Sequence, residues 1–131
     1  MKTKTLALLI TVLLLQITSC AVKNADEIGM FFYDMIKNSD FETAITVIDP
    51  ESLQRTPAQV WKDGLLQKQN RMGQLLSYQR IGYYTDTIDN VTRVSIDYDV
   101  KYTEGILKEK LHFICRNGKY FLTFYEFKEA E

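Results

Sequence analysis

An α+β fold is predicted, with N-terminal helices packed on a curved four-stranded antiparallel meander. Two observations carry most of that prediction. Apolar residues recur at helical spacing from Ile28 to Leu65, whereas from Gln74 to the end they alternate with polar ones. The alternating half is also divided by turn signals into four runs, and helices followed by strands give an α+β layout rather than an α/β one.

The first twenty residues stand apart from that pattern. Lys2 and Lys4 precede an apolar run, Leu6 to Leu15, and the run ends in Ile17-Thr18-Ser19-Cys20. The run has the length of a signal-peptide core and falls short of the stretch needed to span about 30 Å of hydrocarbon. Residues 1–19 are therefore expected to be a signal peptide, residues 20–25 a short tether and residues 26–131 a single domain. Removal of the signal leaves 112 residues, one domain's worth, and lowers the formal charge from −1 to −3, with 14 basic residues against 17 acidic. A weakly acidic chain offers no electrostatic reason to bind nucleic acid.

The first helix is expected to open with a capping box, Asn24 to Glu27, and to present Ile28, Phe31, Phe32, Met35 and Ile36 as one stripe. Asp40 caps a second, short helix with Phe41, Ala44, Ile45 and Ile48, which Pro50 stops. Thr56-Pro57 starts a third that carries Val60, Trp61, Leu65 and Gln69 inward and ends at Gly73. The strands follow: Leu75 to Thr85, a turn over residues 86–90, then Val91 to Thr103, Ile106 to Arg116, and Lys119 to Lys128 after Asn117-Gly118. In the second strand Val94, Ile96, Tyr98, Val100 and Tyr102 take one face; Arg93, Ser95, Asp97, Asp99 and Lys101 take the other. The last strand reads as apolar on both faces, with Tyr120, Leu122 and Phe124 inward and Phe121, Tyr125 and Phe127 outward. That outer aromatic face is a candidate interface, since a contiguous apolar patch commonly marks a partner surface.

The order of charge, apolar core and Ile17-Thr-Ser-Cys20 resembles the signal and lipobox of bacterial lipoproteins. The resemblance implies a diacylglycerol thioether on Cys20, usually with a third acyl chain on its amine, and a place in the cell envelope. Ala21 rather than Asp after the cysteine leaves both the outer membrane and the periplasmic side of the inner membrane open. The long first helix, Trp61, Gly73-Gln-Leu-Leu-Ser-Tyr-Gln-Arg80 and the hairpin Arg116-Asn-Gly-Lys-Tyr120 resemble the nuclear-transport-factor-2-like, or cystatin-like, superfamily. That likeness implies a sheet folded around the first helix, with a cone-shaped cavity that is either open or filled. No active-site motif of the superfamily matches this chain residue by residue, and fold alone carries no activity.

With Cys20 lipidated, Cys115 is the one remaining thiol, and its apolar strand predicts a buried, inert group; neither a disulfide framework nor a cysteine metal cluster is expected. His112 shares the parity of Lys108 and Lys110 and should be solvated. Asp97 and Asp99 lie side by side but face Lys108 and Lys110, so ion pairs are expected rather than a metal site. Asp86, Asp89 and Asn90 are ordinary turn residues whose spacing matches no calcium loop. Glu109 alone among the acids falls on an apolar strand face, across from Tyr98 and Tyr102. It is either a cavity acid with phenolic partners or, close to a turn, a solvated rim residue; the second is the simpler expectation. Neither a catalytic nor a metal motif emerges and no cofactor is expected. The predicted function is a non-catalytic binding or interaction module on a membrane, partnered by an envelope protein or by itself. The alternatives are a small-ligand carrier or enzyme using the cone at Glu109, Tyr98 and Tyr102, or an inhibitor or immunity-type protein.

Overall fold

The computed structural model describes residues 2–130, with side chains from Cys20 onward, so the expected signal peptide lies outside the residues whose side chains are described. Helix α1 runs Lys2–Lys37. Then come α2, Phe41–Ala44, continued by a 3-10 turn Ile45–Val47; α3, Pro50–Arg55; and α4, Ala58–Met72. Strands β1, Leu75–Ile88, β2, Val91–Tyr102, β3, Gly105–Arg116, and β4, Lys119–Glu129, form one antiparallel sheet in sequence order. The architecture is α+β, helices followed by an open four-stranded sheet.

The helical half departs from expectation at three places. Residues 20–25 are not a tether: α1 passes through them, and Ala21, Val22 and Ala25 are buried in the core. The Asn24 capping box therefore caps nothing. The buried stripe of α1 is Val22, Ala25, Gly29, Phe32, Tyr33 and Ile36, and Phe31 points outward. Its small members, alanine and glycine, give a faint hydrophobic signal that periodicity does not register. Pro50 both stops one helix and starts the next, with Asp49 before it, because its fixed φ and missing N–H suit a first helical position. Asp40 caps as expected, its side chain accepting from the Thr43 N–H at 3.1 Å. In α4 the inward residues are Trp61, Leu65, Lys68 and Met72, while Val60 is exposed and Gln69 half-buried.

The strand half follows the sequence more closely. Val94, Ile96, Tyr98, Val100 and Tyr102 are all buried, as are Leu107, Leu111 and Phe113 opposite them. The first turn is tighter than expected: Asp86 belongs to β1, and only Asp89 and Asn90, both at positive φ, reverse the chain. Asn117 and Gly118, φ 51° and 77°, close the β3–β4 hairpin in the same way.

The clear correction lies in β4. His112 pairs with Phe124 but Phe113 pairs with Leu122, so Thr123 is an extra residue, a bulge. One extra residue exchanges the two faces of everything after it. Leu122 is inward, Phe124 is outward and 54% exposed, and Tyr125 and Phe127 turn toward the helices. Tyr125 packs on Phe32 and Trp61, with ring centroids 6.2 and 5.7 Å away. Phe121, Tyr125 and Phe127 thus do not share one outer face as expected, although Phe127 remains 41% exposed.

Gly29 shows how closely α1 meets the sheet. A Cβ there would lie 2.5 Å from Tyr98 Oη and 3.3 Å from its Cζ. Gly29→Ala gains about 1 kcal/mol of helix propensity but faces an overpacking cost of about 1–3 kcal/mol. Tyr98 is 1% exposed and its hydroxyl is held by Asp26 at 2.6 Å, so it has nowhere to retreat. Net destabilisation is expected. Gly64, with open space around it, gives the opposite sign, about 0.5–1 kcal/mol of stabilisation on substitution by alanine. Urea midpoints of the two variants should move in opposite directions; movement the same way would refute the close contact.

Candidate functional site

Three elements converge on Glu109. Its parity on β3 aims it inward, Tyr102 shares the inner face of β2, and Lys68 follows Trp61 and Leu65 on the same face of α4. Tyr33 enters from α1. Glu109 Oε1 accepts from Lys68 Nζ at 3.0 Å and from Tyr33 Oη at 3.3 Å, and Oε2 accepts from Tyr102 Oη at 2.6 Å. The side chains of Lys68 and Glu109 are 3% and 0% exposed. Glu109 is therefore neither solvated nor at a rim, contrary to the simpler expectation. A position near a turn in sequence is not near water when α4 lies over it.

The charges are managed by geometry. Lys68 Nζ stands 4.6 Å from the ring centre of Tyr125, 5.0 Å from Phe127 and 5.5 Å from Tyr102, so aromatic faces surround the ammonium where Glu109 does not. This is why β4 needs its bulge: without it Tyr125 and Phe127 would face away from the lysine. Burial lowers the Lys68 pKa, and Glu109 opposes that shift. Burial first, and then the Glu109 charge, raise the Tyr33 and Tyr102 pKa values.

A second polar cluster joins α1 to the sheet. Tyr98 Oη donates to Asp26 Oδ1 at 2.6 Å, Arg80 Nη1 meets Asp26 Oδ2 at 3.3 Å, and Tyr78 Oη donates to Asp34 at 2.8 Å. Tyr98 is thus near Tyr33, ring centroids 5.1 Å apart, but its hydroxyl serves Asp26 rather than Glu109. The structure brings Glu109 and Tyr102 together and leaves Tyr98 out of their hydrogen bonds.

The outer face of the sheet carries paired charges. Asp97 faces Lys110 at 3.7 Å and Asp99 faces Lys108 at 3.8 Å, as their parity predicts; half-exposed pairs of this kind contribute at most about 1 kcal/mol each. A groove of about 490 Å³ runs there, bounded by Ile81, Asp97, Lys110 and Glu126. The Glu109 carboxylate is not open to it, being 0% exposed and held by Lys68, Tyr33 and Tyr102. His112 is half-buried rather than solvated. Its Nδ1 is 3.0 Å from Ser95 Oγ, and Phe124 packs beside the ring. Cys115 is half-buried against Tyr120 rather than fully enclosed. Among the described residues no group of three or more His, Cys, Asp or Glu side chains is placed to hold a metal ion.

The most exposed apolar side chains gather on β1, one of the two edge strands of the sheet. Ile81, Tyr83, Tyr84 and Ile88 on β1 are 48%, 57%, 66% and 56% exposed. Among the described residues β1 pairs only with β2, leaving one side of its fourteen residues without a strand partner. An open edge is a template for a further strand. Sequence parity alone did not single it out, because edge position follows from strand order and not from any one residue.

No family model matches this chain, and no curated protein matches it.

Proposed function

We propose that this chain is a cell-envelope lipoprotein, held on a membrane through acyl chains on Cys20, and that its domain is a non-catalytic protein-interaction module. The anchor rests on the order of Lys2, Lys4, the apolar run and Ile17-Thr-Ser-Cys20. Two or three chains, at about 0.8 kcal/mol per buried methylene, hold a protein on a bilayer stably. Among the described residues no helix is long and apolar enough to cross a membrane. The helices-then-meander order and the sheet closing over α1 are in keeping with the cystatin-like, nuclear-transport-factor-2-like superfamily.

One observation carries the interaction reading. The inward acid that a pocket would use is already saturated by Lys68, Tyr33 and Tyr102, while exposed apolar side chains gather on the open edge of β1. Aromatic side chains on an unpaired edge favour strand addition by a partner over chemistry in the interior.

The test has two readouts on protein expressed in a lipoprotein-processing bacterium. Intact mass and fractionation should show a diacylglyceryl adduct and membrane association, both lost in Cys20→Ser. A photo-crosslinking residue at Tyr84 should give a discrete protein adduct that one at the exposed Gln54 does not. Equal labelling at both positions would remove the edge as the interaction site.

A further inference from the structure

We propose that the anchor has no spacer: the domain lies directly on the bilayer, with the Asn117–Gly118 hairpin toward the headgroups and the Thr103–Glu104 turn away from them. This rests on the lipidation of Cys20 proposed above. The reasoning begins at α1, which is continuous through Cys20 to Lys37. Cys20 is exposed, but the next two residues, Ala21 and Val22, are 8% and 4% exposed and belong to the core. A flexible tether of n residues would let a domain wander about 5–6 Å × √n from its anchor. Here the lipid-bearing residue adjoins the core with nothing between.

The direction of α1 sets which pole faces the membrane. The helix runs antiparallel to β1, with Asp26 at Arg80, Asp34 at Tyr78 and the Lys37 carbonyl at Gln74. Its Cys20 end therefore approaches the β3–β4 hairpin, where Cys115 pairs with Tyr120. Asn24 and Glu27, the next residues on the Cys20 side of α1, line one groove with Gly118, Lys119 and Tyr120 of that hairpin. The other end of the helix reaches the β2–β3 turn, where the Thr103 N–H donates to the Gln74 carbonyl. At 1.5 Å per residue the two poles are about 25 Å apart.

The near pole suits a bilayer surface. Lys23 and Lys119 are exposed there, and Tyr120 and Phe121 are half-buried beside a groove of about 440 Å³ with Ile28 and Val47. Cys20, Asn24 and Glu27 follow one another at i, i+4 and i+7, hence on one side of α1, and Asn24 and Glu27 line this groove. The partner this pole fits is a phospholipid surface, its phosphates meeting the two lysines and its interfacial zone meeting the aromatic pair.

The test uses the lipidated protein in vesicles of phosphatidylethanolamine and phosphatidylglycerol that contain a headgroup-located quencher. A fluorophore is placed on Lys119→Cys or on Glu104→Cys, each in a Cys115→Ala background. Quenching should be several-fold stronger at 119 than at 104. A spacer of about twelve Gly/Ser residues inserted after Ala21, with a reach of about 20 Å, should abolish the difference while leaving the circular dichroism unchanged. Equal quenching at the two positions, in protein whose mass carries the lipid, overturns the oriented docking and leaves lipidation standing. A mass without lipid overturns the anchor itself, and the docking with it.

Discussion

Replacing Glu109 by alanine is expected to destabilise the domain by about 3–5 kcal/mol, the usual cost of leaving one partner of a buried ion pair alone. The substitution removes the acceptor of Lys68 Nζ and of two tyrosine hydroxyls in one step, at a place where the Lys68 side chain is 3% exposed. Aromatic faces offer a desolvated ammonium about 2 kcal/mol or somewhat more, which does not replace the charge and hydrogen bonds of a carboxylate. The double variant Lys68→Met with Glu109→Gln restores a neutral site of similar volume and should return most of the loss. Urea denaturation of Lys68→Met, Glu109→Gln and their double gives a cycle whose coupling energy should reach about 2 kcal/mol or more. Additive singles would mean that the pair is not a unit. Were Glu109 instead poised for chemistry, its removal would stabilise the fold, since functional acids are commonly held at a cost in stability.

Alkaline unfolding should be abrupt above pH 10. Burial is the leading cause that raises the pKa values of Tyr33, Tyr98, Tyr102 and Tyr125 above the ordinary phenol value, and Tyr78 is pushed up to about 12. For an acid whose folded pKa is raised, the native state keeps a proton that the unfolded chain gives up. Stability is then fully present below the unfolded value near 10 and falls as pH rises beyond it. Each of these four phenols, three of them buried and Tyr125 partly so, contributes a slope of about 1.4 kcal/mol per pH unit in that window.

Lys68 acts with the opposite sign. Its folded pKa is lowered, chiefly by burial, so the unfolded chain binds the extra proton and stability rises with pH up to about 10.4, where that gain ends. Above this point the phenols act alone. Tyrosinate absorbance from the buried set should appear together with loss of near-ultraviolet circular dichroism, not ahead of it. Tyr33→Phe should make the fall shallower by about one phenol's slope. Ionisation of these phenols in a chain that stays folded through pH 12 would contradict the enclosed interior.

Both expectations concern an interior that was only partly legible in the sequence. Glu109, Tyr98 and Tyr102 were visible, because period-two alternation assigns strand faces without any knowledge of what covers them. Lys68 and Tyr33 were missed, although both carried a signal. Lys68 sits at seven and three residues from Trp61 and Leu65, and Tyr33 at four from Gly29, but a lysine on an apolar stripe is ordinarily read as the stripe's edge. Its partner lies 41 residues away, and no local pattern reports a charge that distant.

Local physics thus determined what the chain does at short range. Helical and strand periods, the Asp40 cap, the Gly73 stop, the Asn117-Gly118 hairpin and the facing of Asp97 and Asp99 toward Lys108 and Lys110 were all readable as sequence. Tertiary structure decided the rest. The Thr123 bulge, which no residue type announces, turned Tyr125 and Phe127 inward onto Lys68. The closure of α4 over β3 took Glu109 from a rim to the interior, and the unbroken α1 converted a supposed tether into core. The physical reason is common to all three: burial depends on which distant elements come to lie over a residue, and register slips by one residue without changing the local preferences that a sequence displays.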